Sequence, residues 1–122
     1  MSNQYQYHHL VVLSDKSIND FVSTNISTSS FWSGGGRGGG RYSDWLWLDG
    51  SSSSSNDIMW EAGEPNNSGD NENCIVANYH QHSHKWNDAS CDTKFHFVCQ
   101  SMPKGKTFQQ LAYWFNKLNN IY

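Results

Sequence analysis

The chain has 122 residues, enough for one domain with one modest core. A net charge of −3 and a charged fraction of only 16% leave no basic surface for a phosphate backbone, which sets nucleic-acid binding aside. No apolar run is long enough to span a bilayer, and the polar start, rich in Gln, Tyr and His, carries no recognisable cleavable signal.

In chain order, residues 10–13 are a short apolar run that reads as a buried strand. Ser14 is placed to cap a helix running to about Thr24, with Ile18, Phe21 and Val22 on one face. Residues 34–41 read as a glycine-rich loop interrupted by Arg37 and Arg41. Leu46-Trp47-Leu48 is a core stretch closed by a turn at Asp49-Gly50. A serine run follows at 51–55. From 58 to 88 the pattern is irregular except for a strand at Cys74-Ile75-Val76-Ala77. Residues 94–100 alternate, with Phe95, Phe97 and Cys99 on one face and His96, Val98 and Gln100 on the other, as in a closing strand. Beyond Ser101, Thr107 with Gln110 forms a capping box, and Phe108, Leu111, Ala112, Phe115 and Leu118 share one helical face.

The irregular region carries the chemistry. Glu64-Pro65-Asn66, Glu72 and Trp86-Asn87-Asp88 contribute five oxygen-bearing side chains of the hard-ligand type. Calcium takes about six to eight oxygen ligands, and carboxylates with amide carbonyls supply them. The set contains no sulfur or imidazole, which argues against zinc or copper. Glu64, Glu72 and Asp88 accept hydrogen bonds, while Asn66 and Asn87 keep an NH₂ donor after giving their oxygen to a metal. A sugar hydroxyl can coordinate a metal, donate one hydrogen bond and accept another, which is what a Glu/Asn pair beside calcium presents.

With these residues the chain resembles the C-type lectin-like domain family. The resemblance is carried by Trp45-Leu46-Trp47-Leu48-Asp49-Gly50, Trp60, Glu64-Pro65-Asn66, Glu72-Asn73-Cys74, Trp86-Asn87-Asp88, Cys91 and Cys99, and runs from about His9 to Cys99. It implies an α+β fold of small antiparallel sheets, a helix and a long irregular loop region that holds calcium and sugar. The domain would cover residues 8–100, and 101–122 would be an extension with an amphipathic helix. The segment bearing the family's first helix has no counterpart, so the chain reads as an N-terminally shortened domain, and the tail helix would either cover the surface so exposed or hang free as a linker.

The resemblance also assigns roles. Glu64 with Asn66 would hold one sugar hydroxyl and Glu72 with Asn87 its neighbour, across a cis Glu64–Pro65 bond, while Asp88 completes the Ca²⁺ shell. The order Glu-Pro-Asn resembles the mannose-type subgroup, which takes vicinal equatorial hydroxyls as in mannose, glucose, N-acetylglucosamine and fucose-type sugars. No aromatic residue lies in 67–71 to stack on galactose. A second calcium site is not expected, because Asn67 and Asn73 stand where the family's auxiliary site has acids. Cys74 and Cys91 would pair and stabilise the domain by roughly 3 kcal/mol through loop closure. Cys99 would be unpaired, since its partner belongs to the absent helix. The alternative is a reduced chain with three free thiols. A secreted or extracellular module binding glycans or glycoproteins, gaining avidity by clustering, is the leading expectation.

Three other readings compete. The same fold could bind a protein partner with no sugar. His80, His82 and His84 alternate and could hold zinc as in a hydrolase, but no base or nucleophile accompanies them, and an enzyme is not expected. An arginine–glycine segment for RNA is disfavoured by two arginines and a negative charge. Finally, Asn66-Asn67-Ser68 and Asn25-Ile26-Ser27 are glycosylation sequons; a glycan on Asn66 would destroy the calcium site, so Asn66 is expected to be unmodified.

Overall fold

The computed structural model describes residues 8–26, 29–38, 45–80 and 83–101. Seven strands and one helix follow in the order β1 (His8–Leu10), α1 (Lys16–Asn25), β2 (Phe31–Arg37), β3 (Trp45–Trp47), β4 (Cys74–Ala77), β5 (Asn87–Ala89), β6 (His96–Phe97) and β7 (Cys99–Ser101). The α+β expectation holds. A five-stranded sheet is ordered β3-β2-β4-β5, with β6 added in parallel to the start of β2, and β1 pairs β7 in a separate antiparallel ribbon. Among the described residues no helix is long and apolar enough to cross a membrane.

The strand at 74–77 forms as expected and is buried throughout, the signature of a strand covered on both faces. The run at 10–13 is buried beyond Leu10, but only its first residue is in a ladder; Val11 is held by its N–H donating to the Val98 carbonyl at 2.8 Å. The core gathers Val11, Leu13, Phe31, Trp47, Leu48, Met59, Ile75 and Trp86.

Three local expectations are corrected. The helix cap is Asp15 and not Ser14: the Asp15 carboxylate accepts the Ser17 N–H at 2.7 Å, satisfying an orphan donor of the first turn. Of the expected apolar face only Val22 packs against the core. Ile18 and Phe21 are exposed, at 47% and 67%, while Asn19 and Ser23 are buried. Asn19 belongs inside because its amide is used twice: Oδ1 accepts the Trp86 indole N–H at 3.0 Å and Nδ2 donates to the His84 carbonyl at 2.9 Å. A satisfied amide can occupy a buried position that periodicity assigns to an apolar side chain.

Third, residues 34–37 are not loop. They complete β2, pairing with β3 through Gly35↔Trp47, Gly36↔Leu46 and Arg37↔Trp45. Glycine suits this strand because neighbours crowd the missing side chains. A Cβ on Gly34 would lie 2.8 Å from the Leu10 carbonyl oxygen, and one on Gly35 would lie 2.5 Å from Ile75 Cδ1. Gly34→Ala is therefore expected to cost about 1–3 kcal/mol, because a backbone oxygen cannot step aside as a flexible side chain can. Urea unfolding checks this, and an unchanged midpoint with unchanged slope would contradict it. The closing strand at 94–100 is split at Val98 into β6 and β7. The expected tail helix at 107–118 and the glycines and Arg41 at 39–41 lie outside the described residues.

Candidate functional site

The segment leading to Glu64 is tied to the segment leading into β5. Trp86 N–H donates to the Met59 carbonyl, Glu61 N–H donates to the Trp86 carbonyl, both at 2.8 Å, and Glu64 N–H donates to the Glu61 carbonyl at 2.9 Å. The indoles of Trp47, Trp86 and Trp60 stack in succession beneath, at 5.3 and 5.6 Å between centroids, and Trp45 joins Trp60 at 4.9 Å. The Glu64–Pro65 bond is cis.

Past this bond the loop is fastened to Asp88, which is fully buried on β5. Its two carboxylate oxygens accept the N–H groups of Asn66 at 3.1 Å and Asn67 at 2.7 Å. The return of the loop is closed by side chains. Ser68 N–H is shared between Glu72 Oε1 at 2.8 Å and Asn66 Oδ1 at 3.2 Å, and Glu72 N–H donates to Asn67 Oδ1 at 3.0 Å. Asn67 adopts the left-handed region, φ 46°, where asparagine is tolerated better than most residues.

The structure thus joins Asn66 to Asp88 through the backbone, links Glu72 to Asn66 through Ser68, and places Asn87 beside Asp88 on β5. Glu64 adjoins Asp88. Burial pushes the Glu64 carboxyl above the ordinary carboxylate range, and a shared hydrogen bond with Asp88 and the charge of Asp88 push it the same way. Two oxygens here are buried without a hydrogen-bond partner: Glu64 Oε2 and Asn87 Oδ1. Buried acceptors left unpaired are costly. Among the described residues, no three His, Cys, Asp or Glu side chains form a ready metal cluster. What the loop offers is a mixed set of acid and amide oxygens, the donor chemistry that calcium accepts.

Sequence reasoning missed three participants. Asn67 and Ser68 order the loop through one amide and one N–H. Arg37, assigned to a glycine loop, reaches the site from the end of β2: its Nη2 donates to the Glu72 carbonyl at 3.1 Å and lies 3.5 Å from Asp88 Oδ2. The only sequence signal was a cation interrupting a run of glycines.

The cysteines fall as the resemblance implied. Cys74 and Cys91 form a disulfide that ties the start of β4 to the turn after β5, and Cys99 is free and exposed. Among the described residues, His80 and His84 belong to no cluster of metal-ligating side chains. His80 is exposed and lies against Tyr79, His84 Nδ1 sits 3.0 Å from Asp20 Oδ1, and His82 lies outside the described residues.

The fold and this loop define a lectin-type binding domain. The sequence profile of the family "Lectin C-type domain" matches residues 4–101, and the chain belongs to that family. The family is one of carbohydrate-binding domains and not of enzymes. Similar sequences include a chicken (Gallus gallus) hepatic lectin, 31% identical over 99 residues, covering 80% of this chain and 46% of the relative. Mouse (Mus musculus) C-type lectin domain family 4 member K is 36% identical over 95 residues, covering 75% of this chain and 28% of the relative. The chain therefore spans less than half the length of these relatives. Among solved structures, the C-type lectin domain of murine dendritic cell inhibitory receptor 2, in complex with N-glycan, superposes with a TM-score of 0.63 at 30% identity, covering 80% of this chain and 73% of that one. The mouse scavenger receptor C-type lectin carbohydrate-recognition domain gives a TM-score of 0.63 at 29% identity, covering 75% and 70%.

Proposed function

We propose that this domain binds glycans in a calcium-dependent manner, through Glu64, Asn66, Glu72, Asn87 and Asp88. The observation that carries the reading is that Glu64 Oε2 and Asn87 Oδ1 are buried without a hydrogen-bond partner in the segments joined at the buried Asp88. Bound calcium would supply a Lewis-acidic centre for two adjacent sugar hydroxyls. The protein's own part is to orient the donors and acceptors. Glu64 and Glu72 accept hydrogen bonds from the hydroxyls, while the NH₂ groups of Asn66 and Asn87 donate to hydroxyl oxygens. Asp88 keeps the segment after Glu64 against β5 by holding two backbone N–H groups.

Acid before the proline and amide after it favour the mannose type, with vicinal equatorial hydroxyls. Residues 67–71 add no aromatic ring that would stack on an apolar sugar face. A shallow single site binds weakly, so useful affinity would come from clustered copies on glycoproteins. The Cys74–Cys91 bond supports a secreted or extracellular setting, where disulfides persist.

Retention on immobilised mannose in millimolar calcium tests this reading, with the expectation that a chelator abolishes it. Glu64→Gln combined with Asn66→Asp exchanges donor and acceptor across the proline and is expected to move preference toward galactose. Retention that persists without calcium would refute the proposal.

A further inference from the structure

Arg37 is held more firmly than a surface cation needs to be. Its side chain is only 16% exposed. Nε donates to Asn73 Oδ1 at 3.2 Å, and Nη2 donates to the Glu72 carbonyl at 3.1 Å. The guanidinium carbon lies 4.5 Å from the Trp45 ring centroid, in cation–π range. The backbone fixes the same junction, since Arg37 N–H donates to the Asn73 carbonyl at 2.8 Å. On its remaining side, Nη2 faces Asp88 Oδ2 at 3.5 Å, the oxygen that accepts the Asn67 N–H.

The guanidinium therefore bridges the two arms of the loop. One arm is 66–67, reached through Asp88, and the other is 72–73, held directly. We propose that Arg37 is a positioning residue for the calcium site: a built-in cation that holds these arms in register before metal arrives. This inference rests on the calcium reading above. Glu64, Glu72 and Asp88 bring three negative charges to one loop, and like charges at short range drive it open unless a fixed positive charge opposes them. A guanidinium is always protonated, and its planar fork suits the paired oxygens of Asn73 and Glu72. The amide oxygens beside the ligands are already committed inside the protein, Asn67 Oδ1 to the Glu72 N–H and Asn73 Oδ1 to Arg37. Among the described residues, the buried oxygens of this site without a hydrogen-bond partner are Glu64 Oε2 and Asn87 Oδ1.

The test compares the full chain with Arg37→Gln and Arg37→Lys by two measurements. Amide hydrogen exchange is followed in chelator, where no metal contributes, and calcium uptake is followed by calorimetric titration. In chelator, the Asn66, Asn67 and Glu72 amides are expected to be protected in the parent chain and to lose protection in Arg37→Gln, while β4 amides stay protected. Calcium should bind the parent and bind Arg37→Gln roughly 10–100-fold more weakly, the range for residues that orient ligands. Arg37→Lys restores the charge without the fork and should recover part of both effects. Equal loop protection in Arg37→Gln and the parent would overturn the positioning role. Absence of calcium uptake by the parent would overturn the metal reading, and the exchange comparison would then decide by itself whether Arg37 holds the loop.

Discussion

Truncating Trp86 to alanine is expected to lower the stability of the domain by about 3–5 kcal/mol, the range for deleting a large buried aromatic side chain. Trp86 is 2% exposed and stacks edge-on against Trp47 and Trp60. Its indole N–H is bonded to the buried Asn19 Oδ1. Alanine removes the packing and strands the Asn19 acceptor in an apolar setting, so two costs combine. Trp86→Phe separates them: it keeps most of the packing and loses the bond, for about 1–3 kcal/mol. Urea unfolding followed by far-UV circular dichroism reads both variants. A loss below about 1 kcal/mol for alanine would show that the cavity collapses and that this cluster is not the centre of the core. Because Trp86 immediately precedes Asn87, calcium affinity is expected to fall with stability in Trp86→Ala.

Asp88→Ala is the variant expected to affect the site most. It removes the acceptor of two backbone N–H groups and the counter-charge of Arg37 in one step. Leaving such donors unmatched costs about 1–3 kcal/mol. The larger effect is on binding: calcium-dependent retention on mannose should disappear, since both a ligand and the tether of the segment after Glu64 are gone. Asp88→Asn keeps the shape and one acceptor, so it should keep most of the stability while losing the metal. Calorimetric calcium titration paired with thermal unfolding distinguishes the variants. Unimpaired calcium uptake in Asp88→Ala would remove Asp88 from the ligand set. Removing the Asp88 carboxylate also takes away its hydrogen bond and its charge as causes of the upward shift at Glu64, leaving burial and the charge of Glu72.

What the sequence made legible was whatever depends on residue identity at fixed spacing. The acid–proline–amide turn, the tryptophans, the strand at 74–77 and the pairing of Cys74 with Cys91 were readable because each is specified locally or by a family pattern. What escaped depends on contacts distant in the chain. Asn19 looks like a solvent-facing helix residue until Trp86, 67 positions away, supplies its partner. Gly34 and Gly35 look like a flexible loop, since glycine disfavours strands, until the Leu10 carbonyl and Ile75 show that only a bare backbone fits between them. Arg37 looks like an incidental charge until Asp88 and the Glu72 carbonyl arrive from separate strands and turns. No periodicity encodes these pairings.

The file of indoles under the loop gives the domain an optical sensor of its own. Trp45, Trp60, Trp86 and Trp47 follow one another at centroid separations of 4.9, 5.6 and 5.3 Å, with the Arg37 guanidinium lying on the first ring. Ring emission depends on such surroundings, so calcium binding at the proposed site is expected to be readable by intrinsic fluorescence with no attached dye.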